Sequence, residues 1–496
     1  MTWLFLTLHG LLIVGLGLRI LLRNDLQPDV RMAWLILLVL LPYVSAVLYY
    51  FFGEVALRRS GRTRMGSVQD FAAQVHALNV LQTDAWRVSP AASNVANDMG
   101  VRIAPQWQPA FSYAASINGF SALPGHSAEL MADNGETLQR MLADIDAAQQ
   151  DVHLLYYLWR DDQTGTQVAQ ALMRAAARGV VCRAMVDGLA SRALVASALW
   201  QSMRAGGVQL AVALPINRPL QVLFNSRLDL RNHRKLAVID GRVAYCGSQN
   251  CVDAWYAPKA AYGPWVDITL RMQGSVVVQM QMVFASDWQQ YAAGEHLLYV
   301  PPGLPLLQAC EPAPGFVALA IAEGPSERAR ACPQLFATLM ACACEELVLS
   351  TPYFVPDATV LDALCATAWR GVLVTVIVPA RNDSAIVAAA SRSHYHRLLQ
   401  AGVVIYEFQP GLLHAKTLCV DGVVSLIGST NLDLRSFGLN FENNVLLQDE
   451  NITQAIRARQ AEYIAQSLRV TAAQVQAWPW WRRIWNHLLA MLSPVL

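Results

Sequence analysis

Hydrophobic and polar positions follow three regimes along the chain. Residues 3–22 (WLFLTLHGLLIVGLGLRILL) and 32–52 (MAWLILLVLLPYVSAVLYYFF) are almost unbroken apolar runs. At 1.5 Å rise per residue, each is long enough as a helix to cross a hydrocarbon core of ~30 Å, and the short polar turn between them predicts a transmembrane helical hairpin. The stretch 66–115 is rich in Ala, Ser, Asn, Pro and Gln with weak periodicity, and reads as a connector with some helix. Beyond it the period alternates. Thr137–Gln150 is amphipathic, 151–159 is strand-like, 166–180 is helical and runs into Gly179, and 180–188 is again strand-like. Helices alternating with apolar strands predict α/β layers.

The same order recurs 180 to 200 residues later. ELVLSTPYFVPD (346–357) answers DVHLLYYLWRDD (151–162), ATVLDALCATAWRGV (358–372) answers the helix at 166–180, and LVTVIVPARND (373–383) answers the strand after it. A repeat of this length predicts two tandem copies of one α/β domain, packed about a pseudo-twofold axis with a cleft between them. The expected organisation is a membrane hairpin and basic juxtamembrane segment (1–65), a connector (66–115), a first domain (116–305), a second domain (306–477) and a Trp/Arg-rich interfacial tail (478–496).

Composition narrows the function classes. The 496 residues are 54% hydrophobic and 15% charged, with 37 basic against 36 acidic side chains. The mean hydropathy of +0.30 suits a chain with membrane segments. A near-neutral chain is neither disordered nor built for polyanions, so no nucleic-acid partner is expected. Nine cysteines without a CxxC pair read as buried reduced thiols. The first apolar run carries His9 and Arg19 and lacks a small-residue cleavage site, so it is expected to be retained. Arg58, Arg59, Arg62 and Arg64 follow the second run. The positive-inside rule then places the body of the protein on the cytoplasmic side of a bacterial inner membrane, as a multi-pass protein, although Arg23 and Arg31 in the inter-helix loop soften the contrast. One detail of the charge stands out. Of the basic residues 34 are arginines, and the only lysines are Lys235, Lys259 and Lys416.

Two of those lysines fall in the most informative segments. HRKLAVIDGRVAYCGSQN (233–250) and HAKTLCVDGVVSLIGSTN (414–431) both fit HxKx4Dx6GSxN without an insertion. Six fixed positions match by chance on the order of 10⁻⁸ per start. A strand has period two, so His233 shares a face with Lys235, and His414 with Lys416. Asp240-Gly241 and Asp421-Gly422 supply hairpin turns, and the returning strands place Ser248 with Asn250, and Ser429 with Asn431, on common faces. Two facing sets form a pocket of two cations, two hydroxyls, two amides and two imidazoles, suited to a phosphate monoanion. One imidazole can attack in line while the other protonates the leaving group, and a phosphohistidine divides the transfer into two displacements. No metal or other cofactor is required by this arrangement. An ammonium can approach one phosphate oxygen where a planar guanidinium would crowd the pocket, which accounts for Lys in a chain that otherwise uses Arg.

The duplicated motif resembles that of the phospholipase D superfamily, whose signature is a repeated HKD. The hairpin, RRSGRTR, TPYFVPD and STNLDLRSFGLNFEN extend the likeness over the whole chain, toward the membrane-anchored, two-motif bacterial cardiolipin synthases. The resemblance implies His233, Lys235, Asp240, His414, Lys416 and Asp421 as the catalytic set, with His233 the nucleophile and His414 the acid and base. It implies that Asn250 and Asn431 hold phosphate with the lysines. Ser248 and Ser429 are further phosphate-binding candidates from their place beside the asparagines. It also implies a downstream carboxylate behind each histidine, for which Asp267 and Glu442 are the candidates. Two features depart from the common pattern: GSQN stands where GGxN is usual, and a hydrophobic insert, CVDAWYAPKAAYGPW (251–265), follows the first motif.

The expected reaction is transfer of a phosphatidyl group from one phosphatidylglycerol to another, giving cardiolipin and glycerol. A phospholipase D hydrolase, or a transferase using another alcohol, is the alternative. Phosphatidylglycerol, other membrane phospholipids and the bilayer are the expected partners, and the sequence leaves a homo-oligomer open. The tail AWPWWRRIWNHLLAMLSPVL (477–496) reads as an interfacial helix.

Overall fold

A computed structural model describes residues 2–23, 26, 28–49, 53, 67–73, 103–215, 229–292 and 315–491. The four juxtamembrane arginines from Arg58 to Arg64, most of the connector and the last five residues lie outside the described residues. The chain divides into two compact units, residues 1–64 with 216–230, and a body that contains both sequence repeats.

In the first unit, α1 (Thr2–Leu21) is followed by α2 (Pro28–Leu40) and α3 (Pro42–Leu48). The second apolar run is therefore not one helix. Pro42 has no N–H to give and clashes with the preceding turn, so the helix breaks at Leu41. Among the described residues no helix is long and apolar enough to cross a membrane by itself. Ile20, Leu38 and Tyr49 are buried between these helices, whereas Leu11, Val14, Leu22, Val39 and Val44 are exposed.

The body is organised around one continuous sheet whose strand order records the duplication. Its first repeat supplies β1 (Leu123–Leu130), β2 (Asp151–Tyr156), β3 (Val181–Asp187), β4 (Gln209–Ala213), β5 (Arg231–Asn232), β6 (Lys235–Ile239), β7 (Val243–Gly247), β8 (Trp265–Val266) and β9 (Thr269–Gln273). The second supplies β10 (Phe316–Glu323), β11 (Glu346–Ser350), β12 (Phe354–Val355), β13 (Leu373–Pro379), β14 (Val404–Phe408), β15 (Leu412–Leu413), β16 (Thr417–Val420), β17 (Val424–Gly428), β18 (Leu432–Asp433), β19 (Asn440–Gln448) and β20 (Ser467–Val470). Outward from the centre, the first repeat runs β1-β9-β7-β6-β2-β3-β4 and the second runs β10-β19-β17-β16-β11-β13-β14 with β20 added at its edge, while β12 with β18 and β15 with β8 form separate two-stranded sheets. The two series meet where β1 pairs antiparallel with β10. Equivalent strands thus occupy equivalent places about that junction, as the repeat predicts.

The principal helices cover the sheet: α4 (Gln108–Asn118), α5 (Asn134–Ala147), α6 (Gln163–Ala177), α7 (Val276–Tyr291), α8 (Ala331–Cys342), α9 (Ala358–Trp369), α10 (Ala385–Ser393), α11 (Tyr395–Ala401), α12 (Glu450–Ala465) and α13 (Trp480–Ala490). The carboxylates of Asp133, Asp162 and Asp357 cap α5, α6 and α9 by accepting from backbone N–H groups in the first turn, which starts the first two helices three residues before the hydrophobic period does. The connector ends earlier than its composition suggests. Trp107, Phe111 and Ile117, on and beside α4, pack into the same core as Leu335, Leu347 and Leu364 of the second repeat. Asn118 locks this helix in place, donating from Nδ2 to the carbonyl of Ala322 at 2.9 Å and accepting from its N–H at 2.7 Å. The eight described cysteines are free; six are buried as expected, but Cys342 is half-buried and Cys344 exposed at the end of α8.

Candidate active site

Each HxK segment is positioned by strands from the other repeat. β5, ending one residue before His233, pairs in parallel with Asn440 and Phe441 at the start of β19, and the His233 N–H donates to the Phe441 carbonyl at 2.9 Å. β8, ending one residue before Asp267, pairs in parallel with β15, and the His414 N–H donates to the Val266 carbonyl at 2.8 Å. This exchange brings each histidine to the carboxylate of the opposite repeat. His233 Nδ1 lies 2.8 and 2.9 Å from the two Glu442 oxygens, and His414 Nδ1 lies 2.6 Å from Asp267 Oδ1. A carboxylate only accepts, so it selects the Nδ1–H tautomer and leaves the Nε2 lone pair for chemistry.

Both imidazoles are buried. Desolvation, with the Lys235 and Lys416 charges added to it, drives the His233 pKa well down. The same causes, burial first and then Lys416, lower His414 to about 4 despite the opposing Asp267 carboxylate. Both are therefore neutral at pH 7. The lysines turn back along their strands, Lys235 Nζ donating to the His233 carbonyl at 2.6 Å and Lys416 Nζ to that of His414 at 2.7 Å. Burial lowers both ammonium groups, Lys416 to about 8. The two carboxylates differ. Burial raises Glu442 to about 7, whereas for Asp267 the penalty of burial is outweighed by His414, Lys416 and the Ser248 hydroxyl, which hold it at about 2.

Four residues of the expected set make contacts that the motif reading did not foresee. Ser248 Oγ donates to Asp267 Oδ1 at 2.7 Å and accepts from the Ile268 N–H at 3.0 Å. Ser429 Oγ donates to Glu442 Oε2 at 2.5 Å and accepts from the Asn443 N–H at 2.9 Å. Both hydroxyls are engaged with the carboxylates behind the histidines. Asp240 and Asp421 stand in the turns that follow β6 and β16, five residues after the lysines and roughly 16 Å along at ~3.3 Å per residue. The Asp240 carboxylate accepts from the N–H groups of Gln149, Gln150 and Asp151, and that of Asp421 from Cys344, Glu345 and Glu346. They staple the starts of β2 and β11 to their hairpins and do not join the catalytic set. Asp240-Gly241 and Asp421-Gly422 all have positive φ, the turn that links tightly paired strands.

The two motif asparagines are buried. Asn250 Oδ1 accepts from the Leu158 N–H at 3.2 Å, and Asn431 Nδ2 donates to Ser436 Oγ at 3.3 Å while its Oδ1 is buried without a partner. Several neighbours escaped the motif reading. Asn443 brackets the Lys235 backbone, accepting from its N–H at 2.9 Å and donating to its carbonyl at 3.2 Å. Asn440 and Asn134 donate to Glu442 and Asp267. Tyr157 lies edge-on to His233 at 4.7 Å, and Trp265 lies 4.8 Å from the His414 ring. The asparagines flanking Glu442 in LNFENN were a visible signal; the aromatic contacts were not. The insert's Lys259 pairs with Asp383, whose other oxygen accepts from the Tyr353 hydroxyl at 2.8 Å. Among the described residues no group of three or more His, Cys, Asp or Glu side chains could hold a metal.

The family model for the cardiolipin synthase, phospholipase D-like domain matches residues 141–257 and 336–463, the segments that carry the two motifs. Cardiolipin synthase A of Serratia proteamaculans and that of Citrobacter koseri are each 36% identical over 496 residues, covering 100% of this chain and 98% of the relative. The chain belongs to the cardiolipin synthase family of phospholipase D-like proteins. A phospholipase D-nuclease N-terminal model also matches residues 11–54. The fold is shared with the phosphatidylserine synthase of Haemophilus influenzae, at a TM-score of 0.56 and 14% identity over 78% of this chain and 98% of that one. Within the cardiolipin synthase frame, the exchanged histidine–carboxylate pairs make one site from both repeats.

Proposed function

We propose that this chain is a phosphatidyltransferase that makes cardiolipin from two molecules of phosphatidylglycerol, with glycerol released. The observation that carries the reading is the pair of carboxylate-backed imidazoles, one from each repeat, in motifs that each bury a lysine. His233 Nε2 attacks the phosphorus of the first lipid, and the bond from phosphorus to the glycerol head-group oxygen breaks. When the phosphodiester anion arrives it raises the proton affinity of the His414 imidazole, which takes up a proton at Nε2 from solvent and delivers it to that oxygen. The primary hydroxyl of the second lipid then gives its proton to His414 and attacks the phosphohistidine, restoring His233. Lys235 and Lys416, with the Asn250 and Asn431 amides, hold the phosphate oxygens, and Glu442 and Asp267 fix the tautomers. Neutral residues such as Tyr157 and Trp265 around the imidazoles favour a lipid hydroxyl over water as acceptor.

In this reading residues 116–305 and 306–477 are the two halves of the catalytic body, with 103–115 lent to the second. Residues 3–22 and 32–52 form a membrane hairpin that keeps the body on the cytoplasmic face. Its support is the outward-facing Leu, Val and Ile side chains of α1 and α2, which water would solvate poorly. Phosphatidylglycerol carrying label in phosphate and head group tests the chemistry. Cardiolipin and glycerol in equal amounts are expected, whereas phosphatidic acid and glycerol without cardiolipin would establish the hydrolase. Acid-labile phosphate should be trapped on His233 and vanish in His233→Ala; label confined to His414 would reverse the two roles.

A further inference from the structure

The last described helix, α13, carries an apolar face that none of the other described residues covers. Trp480, Trp481, Ile484, Trp485, Leu488 and Met491 are each more than half exposed. At 100° per residue they occupy one arc of about 140°. The opposite arc holds Asn486 and Leu489, both buried, where α13 packs along α10. Arg482 lies 4.3 Å over the Trp478 ring, fixing the entry to the helix, and Trp478 in turn packs against Tyr395. Arg483 and His487 fill the remaining sector, beside the apolar arc. The helix is thus divided into a protein-facing side, an apolar side and a cationic flank.

We propose that this face docks on the surface of an anionic phospholipid bilayer, resting on the reading that the substrate is a membrane lipid. Three observations favour that occupant over a second copy of the chain. Half of the stripe is tryptophan, whose ring is apolar and whose N–H seeks a wet partner, the combination that suits the head-group layer. From residue 463 to 496 the chain has Arg469, Arg482 and Arg483 and no acidic residue, so the flank complements negative lipid. The stripe is also tied to the site: α13 rests on α10, and α10 begins two residues after Asp383, which holds Lys259 of the insert that carries Trp265 to His414. A lipid surface under α13 would bring the head groups to the same side of the body as that insert.

The test uses the full chain in vesicles, with an environment-sensitive dye attached through Ile484→Cys in a Cys344→Ser background. In vesicles containing phosphatidylglycerol, a nitroxide carried on the lipid should quench the dye several-fold while aqueous iodide has little access. Free quenching by iodide with a silent lipid probe would overturn the proposal. So would dye self-quenching that grows with protein concentration, which would seat a second copy on the stripe. Trp481→Ser/Trp485→Ser should lose about tenfold in kcat/KM on bilayer substrate and change less than twofold on monomeric short-chain phosphatidylglycerol; equal losses on both would also overturn it. If the wild type makes no cardiolipin and the dye is still quenched by lipid, the activity fails and the docking stands.

Discussion

At the scale of single residues, the site uses neutral imidazoles and scarce lysines. Lys235 and Lys416 are enclosed, and a guanidinium in either place would need room for a planar fork. Lys235→Arg and Lys416→Arg are each expected to cut turnover more than tenfold, measured as cardiolipin formed per folded enzyme. Glu442 sets an acid limb. Its pKa is raised to about 7 by burial, and it must be ionised to accept from His233, so activity falls as pH drops through 7. Lys235 and Lys416 set an alkaline limb. Burial lowers both, Lys416 to about 8, and both must be protonated to hold phosphate, so activity falls as pH rises to and through 8. The kcat/KM profile should therefore be bell-shaped, with its acid limb near 7. Ser248→Ala and Ser429→Ala each remove a charge-assisted bond worth roughly 1.5 to 3 kcal/mol, and about a tenfold or larger loss in kcat with little change in KM is expected if the hydroxyls orient carboxylates. A loss confined to KM would return them to the phosphate.

At the scale of elements, the third letter of the HKD motif is architectural. Asp421 accepts three backbone N–H bonds and a fourth from Gln106 Nε2 at 3.0 Å. Asp421→Ala should cost about 2 to 3 kcal/mol and lower the unfolding midpoint, while the rate per folded molecule stays near that of the wild type. The glycine before each motif serine is equally structural. A Cβ on Gly247 would stand 2.1 Å from the Ile268 carbonyl oxygen, and one on Gly428 would stand 2.3 Å from that of Asn443. No side chain fits between those strands, which is why the fixed GS step recurs in both copies.

At the scale of the whole molecule, the exchange between repeats makes the halves interdependent. A chain of residues 306–496 lacks Trp107 and Phe111 from its core and lacks Asp267 behind His414. Expressed alone, each half should be inactive, and the second should be poorly folded by circular dichroism; co-expression should restore cardiolipin formation. Activity from either half alone would mean that a site can assemble without the exchange, for instance between two copies of one half.

The sequence determined the α/β alternation, the duplication and the identity of the histidines, lysines and carboxylates, because these depend on periodicity and on spacing along one strand. Turn residues were legible for the same reason: Asp-Gly encodes a tight hairpin locally. The pairing of each histidine with a carboxylate was decided only by tertiary structure, because it depends on β5 meeting β19 and β8 meeting β15 across 209 and 147 residues of sequence separation at the paired groups. The same holds for the serines. Their place on the strand put them beside the asparagines, but the direction of a hydroxyl depends on which carboxylate the neighbouring strand presents. Local pattern fixes what a segment can form, and only packing fixes which partner it finds.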